Sequence, residues 1–159
     1  MPTLTQSILI DGPAAEVFDL AQDYGLRLRW DPFLKEMKFL DGALAAAPSV
    51  RVWVRAWTGL TMTVEYITLK RPEVVAMKMV EGPAIFRRFA GTWQFRSIGP
   101  SSTEVTFKYG FDLAWPWAAC LIDPILRAVF AHDIRSRLIG LKRGVEEMGL
   151  VAELGPSCA

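Results

Sequence analysis

Between residues 36 and 113 apolar and polar positions alternate with a period of two, and helical periods flank that stretch on both sides. A first strand is expected at residues 7–10, closed by Asp11-Gly12-Pro13. Pro13 stands where a helix can begin, and residues 14–21 place Val17, Phe18 and Ala21 on one helical face. A second short helix, 24–30, ends before Asp31-Pro32, because proline disfavours helical geometry in the residue before it. Six extended segments follow, at 36–40, 50–57, 60–70, 73–81, 86–96 and 104–113. The breaks carry turn chemistry at Asp41-Gly42, Thr58-Gly59, Arg71-Pro72, Gly82-Pro83 and Gly99-Pro100. Residues 123–148 read as one long helix. Asp123-Pro124 either caps it or kinks it, the latter if it begins near Pro116. With no repeat or low-complexity linker, this order reads as a single α+β domain over residues 1–150, followed by a flexible tail at 151–159.

Turn length decides which side chains share a face. If Thr58-Gly59 is a two-residue turn, Trp57 faces Leu60, Arg55 faces Met62, Trp53 faces Val64 and Arg51 faces Tyr66. Val52 and Val54 then lie on the other side, opposite Glu65 and Thr63. A four-residue loop keeps that parity and a three-residue loop reverses it. With Arg71-Pro72 at the next tip, Tyr66 faces Met77, Val64 faces Met79 and Thr68 faces Val75. Further on, Phe89, Trp93 and Phe95 alternate with Thr92, Gln94 and Arg96, and Val105, Phe107, Tyr109 and Phe111 with Thr106 and Lys108. The expected product is an antiparallel sheet with one wet face and one face of Trp, Met, Phe and Tyr. Only the last helix is long enough to cover the apolar face. At 100° per residue its Ile122, Ile125, Leu126 and Val129 share a stripe with Asp133, with Arg127, Arg135, Lys142 and Glu146 behind. A curved sheet gripping one helix leaves a void between them, and Met62, Met77 and Met79 suit an adaptable wall.

Composition narrows the chemistry. The 159 residues make about one domain, large enough to hide roughly 70% of the unfolded surface without staples. Eighteen basic against 17 acidic residues leave a net charge of +1, no reservoir for nucleic-acid binding. Two cysteines, Cys120 and Cys158, and one histidine, His132, exclude a disulfide scaffold and a CxxC zinc site, so no metal or cofactor is expected. The chain is 52% hydrophobic with six tryptophans and a mean hydropathy of +0.23, and that excess must line a cavity, an interface or a membrane contact. Residues 1–12 lack the basic-then-apolar order of a signal peptide, and Cys158 does not fit a prenylation box. The longest uncharged apolar stretch, 114–122, falls far short of the roughly 18–20 residues of a membrane span. A cytoplasmic location is the expectation.

Several segments resemble the START-like (SRPBCC) helix-grip superfamily, in particular its polyketide cyclase/dehydrase and lipid-transport branch and the coenzyme Q-binding START proteins. They are Ile10-Asp-Gly-Pro-Ala-Ala-Glu-Val-Phe18, Arg29-Trp-Asp-Pro-Phe33, and Gly82-Pro83 with Gly91-Thr-Trp-Gln-Phe95. Thr103-Glu-Val-Thr-Phe107, Phe111 and Arg137-Leu-Ile-Gly-Leu-Lys-Arg143 complete the likeness, which spans roughly residues 3–148. It implies a helix-grip (Bet v 1-like) fold: a strongly curved antiparallel sheet of about seven strands around a long C-terminal helix, with two short helices after the first strand. It also implies a deep apolar cavity open near Trp30, Gly59 and Gly82, taking lipids, quinones, polyketides or other flat hydrophobic molecules. In the family the positions of Trp53, Arg55 and Trp57 tend to point inward, and an arginine at 55 departs from the apolar residue found in many relatives. Such a superfold hosts carriers, cyclases, hydrolases and regulators, so its activity has to be read from the site.

The candidate ligand wall takes Trp30, Trp53, Arg55, Trp57, Met62 and Val64 from the first half of the chain. Tyr66, Met77, Met79, Phe89 and Trp93 follow, then Phe107, Tyr109, Phe111, Leu126, Val129 and Asp133. Arg55 either holds a carboxylate, enolate or quinone oxygen, or stacks at the rim on Trp53 or Trp57 with its head in water. Asp133 either pairs with Arg55 or Arg137, or acts as a general base. Tyr66 and Tyr109 either orient a carbonyl or sit in the core with satisfied hydroxyls. His132, Asp133 and Ser136 do not make a triad, since helix neighbours point 100° apart, and Cys120 reads as an inert buried thiol. Three functions remain in play. A carrier or sequestering protein for a hydrophobic ligand leads, for want of a clear catalytic set. A cyclase or aromatase would fold a reactive chain around Arg55, with Tyr66, Tyr109 or Asp133 moving protons. An interaction module would form a homodimer or partner contact through a convex Val50, Val52 and Val54 strip.

Overall fold

The computed structural model describes residues 2–155, apart from the side chains of residues 116 and 118–120. The thiols of Cys120 and Cys158, and the end of the expected tail, lie outside the described residues. Strand β1 (Thr3–Ile10) leads into α1 (Ala14–Gln22) and α2 (Tyr24–Trp30). Then come β2 (Leu34–Phe39), β3 (Arg51–Ala56), β4 (Thr61–Lys70), β5 (Val74–Glu81), β6 (Phe86–Gly99) and β7 (Ser102–Leu113), before α3 (Pro116–Glu146) and a short 3-10 turn, Leu150–Glu153. One antiparallel sheet in the order β1-β7-β6-β5-β4-β3-β2 contains all seven strands. It is the antiparallel sheet that the alternation predicts, in the curved helix-grip architecture that the resemblance implies.

Local chemistry accounts for the element boundaries. Asp23 caps α2 by accepting from the Leu26 amide at 3.0 Å, and α2 stops at Asp31, ahead of Pro32. Helix α3 begins at Pro116, so Pro124 lies inside it. Bulges interrupt the ladders between Thr63 and Val64, Tyr66 and Thr68, and Phe86 and Arg88. Each adds a residue to one strand and bends it, which curls the sheet around α3. The second of these moves Thr68 opposite Ala76 instead of Val75, while Tyr66 and Val64 oppose Met77 and Met79 as expected.

The β3–β4 hairpin reverses the expected parity. Its loop holds three residues, Trp57-Thr58-Gly59: the Ala56 amide donates to the Leu60 carbonyl at 2.9 Å, and Gly59 closes the turn at φ 87°. A three-residue loop ending in a left-handed residue favours glycine there and shifts the register by one. Arg51 therefore opposes Glu65, Trp53 opposes Thr63 and Arg55 opposes Thr61. Val52, Val54 and Ala56 become core, at 0%, 8% and 2% exposure, while Trp57 is 66% exposed. The valine strip expected on the convex face is thus interior, and no partner contact can use Val52 or Val54.

Strands β6 and β7 keep the expected face. Phe89, Trp93, Phe95, Val105, Phe107, Tyr109 and Phe111 are buried, with Trp93 stacked on Phe107 at 3.9 Å between ring centres. Helix α3 presents Leu126, Phe130, Ile134, Leu138 and Leu141 to them, a row at spacings of four and then three. That row is turned from the stripe expected from the sequence, and Ile125 and Val129 are exposed. Gly140 lets α3 lie directly on the Trp30 backbone, where any Cβ would run into the Trp30 carbonyl. The 3-10 turn follows α3, with Leu150 fully buried and Glu153 paired to Arg29 at 2.5 Å.

Candidate functional site

The concave face of the sheet and α3 bound a cavity of about 110 Å³ that opens to solvent. Val54, Ala56, Met62, Val64, Met77 and Met79 line the side formed by β3–β5. Phe86, Phe89, Phe107 and Tyr109 line the side formed by β6 and β7, and Phe130 closes it from α3. Leu60 and Pro83, from the loops beside Gly59 and Gly82, stand at its edge. Helix α3 packs on β1 and β7, and near Trp30 helix and backbone touch at Gly140. Trp30 is accordingly core, 4% exposed, and no part of the mouth.

One end of this apolar space is polar. The Asp31 carboxylate, fully buried, accepts through Oδ2 from Arg27 Nε (3.1 Å), Arg137 Nε (3.2 Å) and Arg137 Nη2 (2.8 Å), and through Oδ1 from the Phe33 amide (3.1 Å). Arg137 Nη1 donates to the Tyr109 hydroxyl at 2.5 Å, and that hydroxyl donates to Asp133 Oδ2 at 2.7 Å. Arg27, Tyr109, Asp133 and Arg137 all face the cavity. The two guanidinium groups also lie on ring faces, Arg27 over Tyr24, Trp30 and Trp93, and Arg137 over Phe33 and Phe107. Those faces favour a cation in place of water.

Burial and charge pull the two carboxyls apart. Burial would raise Asp31, but Arg137 and Arg27 outweigh it and hold the carboxyl below the usual carboxylate range. At Asp133 burial wins against Arg137 and the Tyr109 hydrogen bond, and its carboxyl is pushed up. Burial also raises Tyr109 and takes Tyr24 up to about 12, so both stay neutral hydroxyls. Asp133 is therefore the carboxyl at this end that holds its proton more tightly than a free carboxyl would.

Of the wall expected from the sequence, Met62, Val64, Met77, Met79, Phe89, Phe107, Tyr109 and Asp133 line the cavity. Tyr66, Trp93 and Phe111 are buried behind it; Tyr66 bonds to the Tyr24 hydroxyl and to Gln22 Oε1 at 3.3 Å. Leu126 is half-buried and Val129 exposed. The reversed parity removes Trp53, Arg55 and Trp57: Lys38 lies 5.4 Å over Trp53, Lys35 lies 5.2 Å over Trp57, and Arg55 reaches Glu36 at 3.8 Å in solvent. The inward arginine is real but is supplied by Arg27 and Arg137. Arg27 carried a usable signal, an acidic partner four residues on, just where Pro32 stops the helix. Arg137 lies seven residues after the inward Phe130 and four after Asp133.

Among the described residues no cluster of His, Cys, Asp and Glu could hold a metal, and no helix is long and apolar enough to cross a membrane. A family model described as polyketide cyclase/dehydrase and lipid transport matches residues 1–146. No curated protein matches the chain. Among solved structures, the Zhui aromatase/cyclase from Streptomyces sp. R1128 superposes with a TM-score of 0.77 at 16% identity, covering 93% of this chain and 98% of that one. A START superfamily protein from Mycobacterium smegmatis gives 0.77 at 13% identity, over 92% and 98%. A truncated norcoclaurine synthase from Thalictrum flavum gives 0.68 at 11% identity, over 92% and 94%. At such identities the likeness is one of fold.

Proposed function

The chain belongs to the polyketide cyclase/dehydrase and lipid-transport family, and from that premise we propose that it binds a hydrophobic small molecule between its sheet and α3, as a carrier or sequestering protein. The guest is of lipid, quinone or polyketide type. The observation that carries this reading is the cavity itself, walled by aromatic rings and by Met37, Met62, Met77 and Met79. Unbranched thioethers repack at little cost, so such a wall adapts to guests of differing outline. Each methylene moved there from water contributes about 0.8 kcal/mol, enough for useful affinity from a modest chain. Native mass spectrometry of the purified protein, with displacement of bound Nile red by a long-chain lipid, a quinone and an aromatic polyketide, tests it. A retained mass or displacement by one class supports the reading. A protein that takes up neither dye nor any of the three ends it.

A cyclase-type enzyme in the same cavity is the second reading, favoured by the Tyr109–Asp133 pair facing that space. A carboxyl raised by burial can hand a proton to, or take one from, an enolic carbon chain held in a dry site. Asp133→Asn and Tyr109→Phe would then abolish turnover of a poly-β-ketone substrate while leaving dye binding intact. Arg55→Ala, on the outer face, would leave both unchanged.

A further inference from the structure

The charges at the polar end do not balance without Asp133. Asp31 is the shared acceptor for two guanidinium groups, which leaves one positive charge in surplus where Arg27 is 2% and Arg137 5% exposed. Asp133 neutralises that surplus only when it is ionised. It is held through Oδ2 alone, while Oδ1 has no hydrogen-bond partner among the described residues. The groups facing it are Tyr109 from β7, Arg137 and His132 from α3, and Asp31 from the turn after α2, with Arg27 beyond Asp31. His132 is turned toward Ser136, 3.5 Å away.

We propose, resting on the hydrophobic-guest reading above, that the guest carries one acidic oxygen head group and that this head seats beside Asp133 with uptake of one proton by that carboxyl. The balance is simple. Ionised Asp133, one proton and an anionic head combine to give neutral Asp133 donating a hydrogen bond from Oδ1 to the anion. The cluster keeps a total charge of zero, with the anion replacing Asp133 as counterion to Arg27 and Arg137. A neutral alcohol or ester head gains nothing from this exchange, and a cationic head meets two guanidinium groups. The cavity therefore selects an apolar body with an acidic end, such as a fatty acid, an enolised polyketide acid or a sulfonate. Asp133 acts here as a positioning and charge-balancing residue.

Calorimetric titration with decanesulfonate, which stays anionic throughout, and with decanol as its neutral counterpart, tests this at about pH 5.5 and about pH 8. Decanesulfonate is expected to bind at least about tenfold tighter at the lower pH, since one proton taken up changes the affinity tenfold for each pH unit until Asp133 is protonated in the free protein. At the higher pH, titrations in two buffers of different ionisation enthalpy should show close to one proton taken up. Decanol should show neither effect. In Asp133→Asn the affinity for decanesulfonate should lose its pH dependence and stay at the tighter value. If circular dichroism shows that variant unfolded, proton uptake by the unaltered protein decides alone. Decanol binding beside a sulfonate that fails to bind, or binds without pH dependence, overturns the acidic-head inference and leaves the hydrophobic-guest reading standing. Failure of both probes to bind overturns the acidic-head inference, and the hydrophobic-guest reading falls with it only where Nile red and the three ligand classes are also refused.

Discussion

Asp31 and Asp133 sit within one hydrogen-bonded cluster yet pull stability in opposite directions as pH changes. Asp31 has its carboxyl lowered on folding, so it contributes stability above the unfolded value of about 4 that is lost as pH falls through the folded one. Removing its charge strands Arg27 and Arg137, and Asp31→Asn is expected to cost about 3–5 kcal/mol in urea unfolding at neutral pH. Asp133 has its carboxyl raised, so its contribution is complete below pH of about 4 and is lost as pH rises through the folded value. Burial of the ionised carboxyl costs more than its pairing with the guanidinium surplus returns, so Asp133→Asn should stabilise the protein at neutral pH, while the gain vanishes in acid. Melting temperatures across that range check the sign; a neutral-pH loss would mean that Asp133 ionises more readily folded than unfolded. Tyr109 links the two through Arg137, and its own raised hydroxyl keeps it a neutral donor throughout.

Two-residue alternation is readable only as far as the loop that sets its phase is readable. In β6 and β7 it is unambiguous, since aromatic residues alternate with Thr, Lys, Gln and Arg and either phase of the turn leaves the same rings inside. In β3 both faces carry large apolar groups, valines on one and tryptophans on the other, so the pattern rested on the turn, and one extra loop residue inverted it. Val52→Ala should accordingly cost about 2 kcal/mol by lost burial and a residual void. Arg55→Ala should change urea stability by no more than about 0.5 kcal/mol, since its Glu36 partner lies in solvent. Equal costs would restore the original parity. Contact between α2 and α3 was invisible in the sequence for a different reason: a glycine in a helix signals close approach but not what approaches. Here it is the Trp30 carbonyl, and Gly140→Ala should destabilise by about 1–3 kcal/mol despite the better helix propensity of alanine.

At the scale of the whole molecule, composition announced an excess of apolar surface but not how it is divided. Part lines the cavity; part lies outside on α3, where Trp117, Leu121, Ile125 and Val129 are 80%, 76%, 64% and 54% exposed at four-residue spacing. That outer row is why the helix face was misjudged, since both sides of the first turns are apolar and only the later residues, Ile134, Leu138 and Leu141, fix the rotation. A cavity left open inside a curved sheet forgoes packing that a filled core would have, so fold stability and guest capacity should trade against each other at its wall. Ala56 is the place to measure this, being 2% exposed, on the wall and at the end of β3. Ala56→Leu pushes three more carbons into the void. It should raise the stability of the guest-free protein by up to about 2 kcal/mol, at roughly 0.8 kcal/mol per methylene less the side-chain entropy lost. It should also weaken Nile red binding at least about tenfold, because the dye and the new side chain compete for the same space. Unfolding in urea with and without dye reads both effects at once, since a guest bound only by the folded state adds its own stabilisation by mass action. A variant that loses stability yet binds dye as before would place the guest somewhere other than between the sheet and α3.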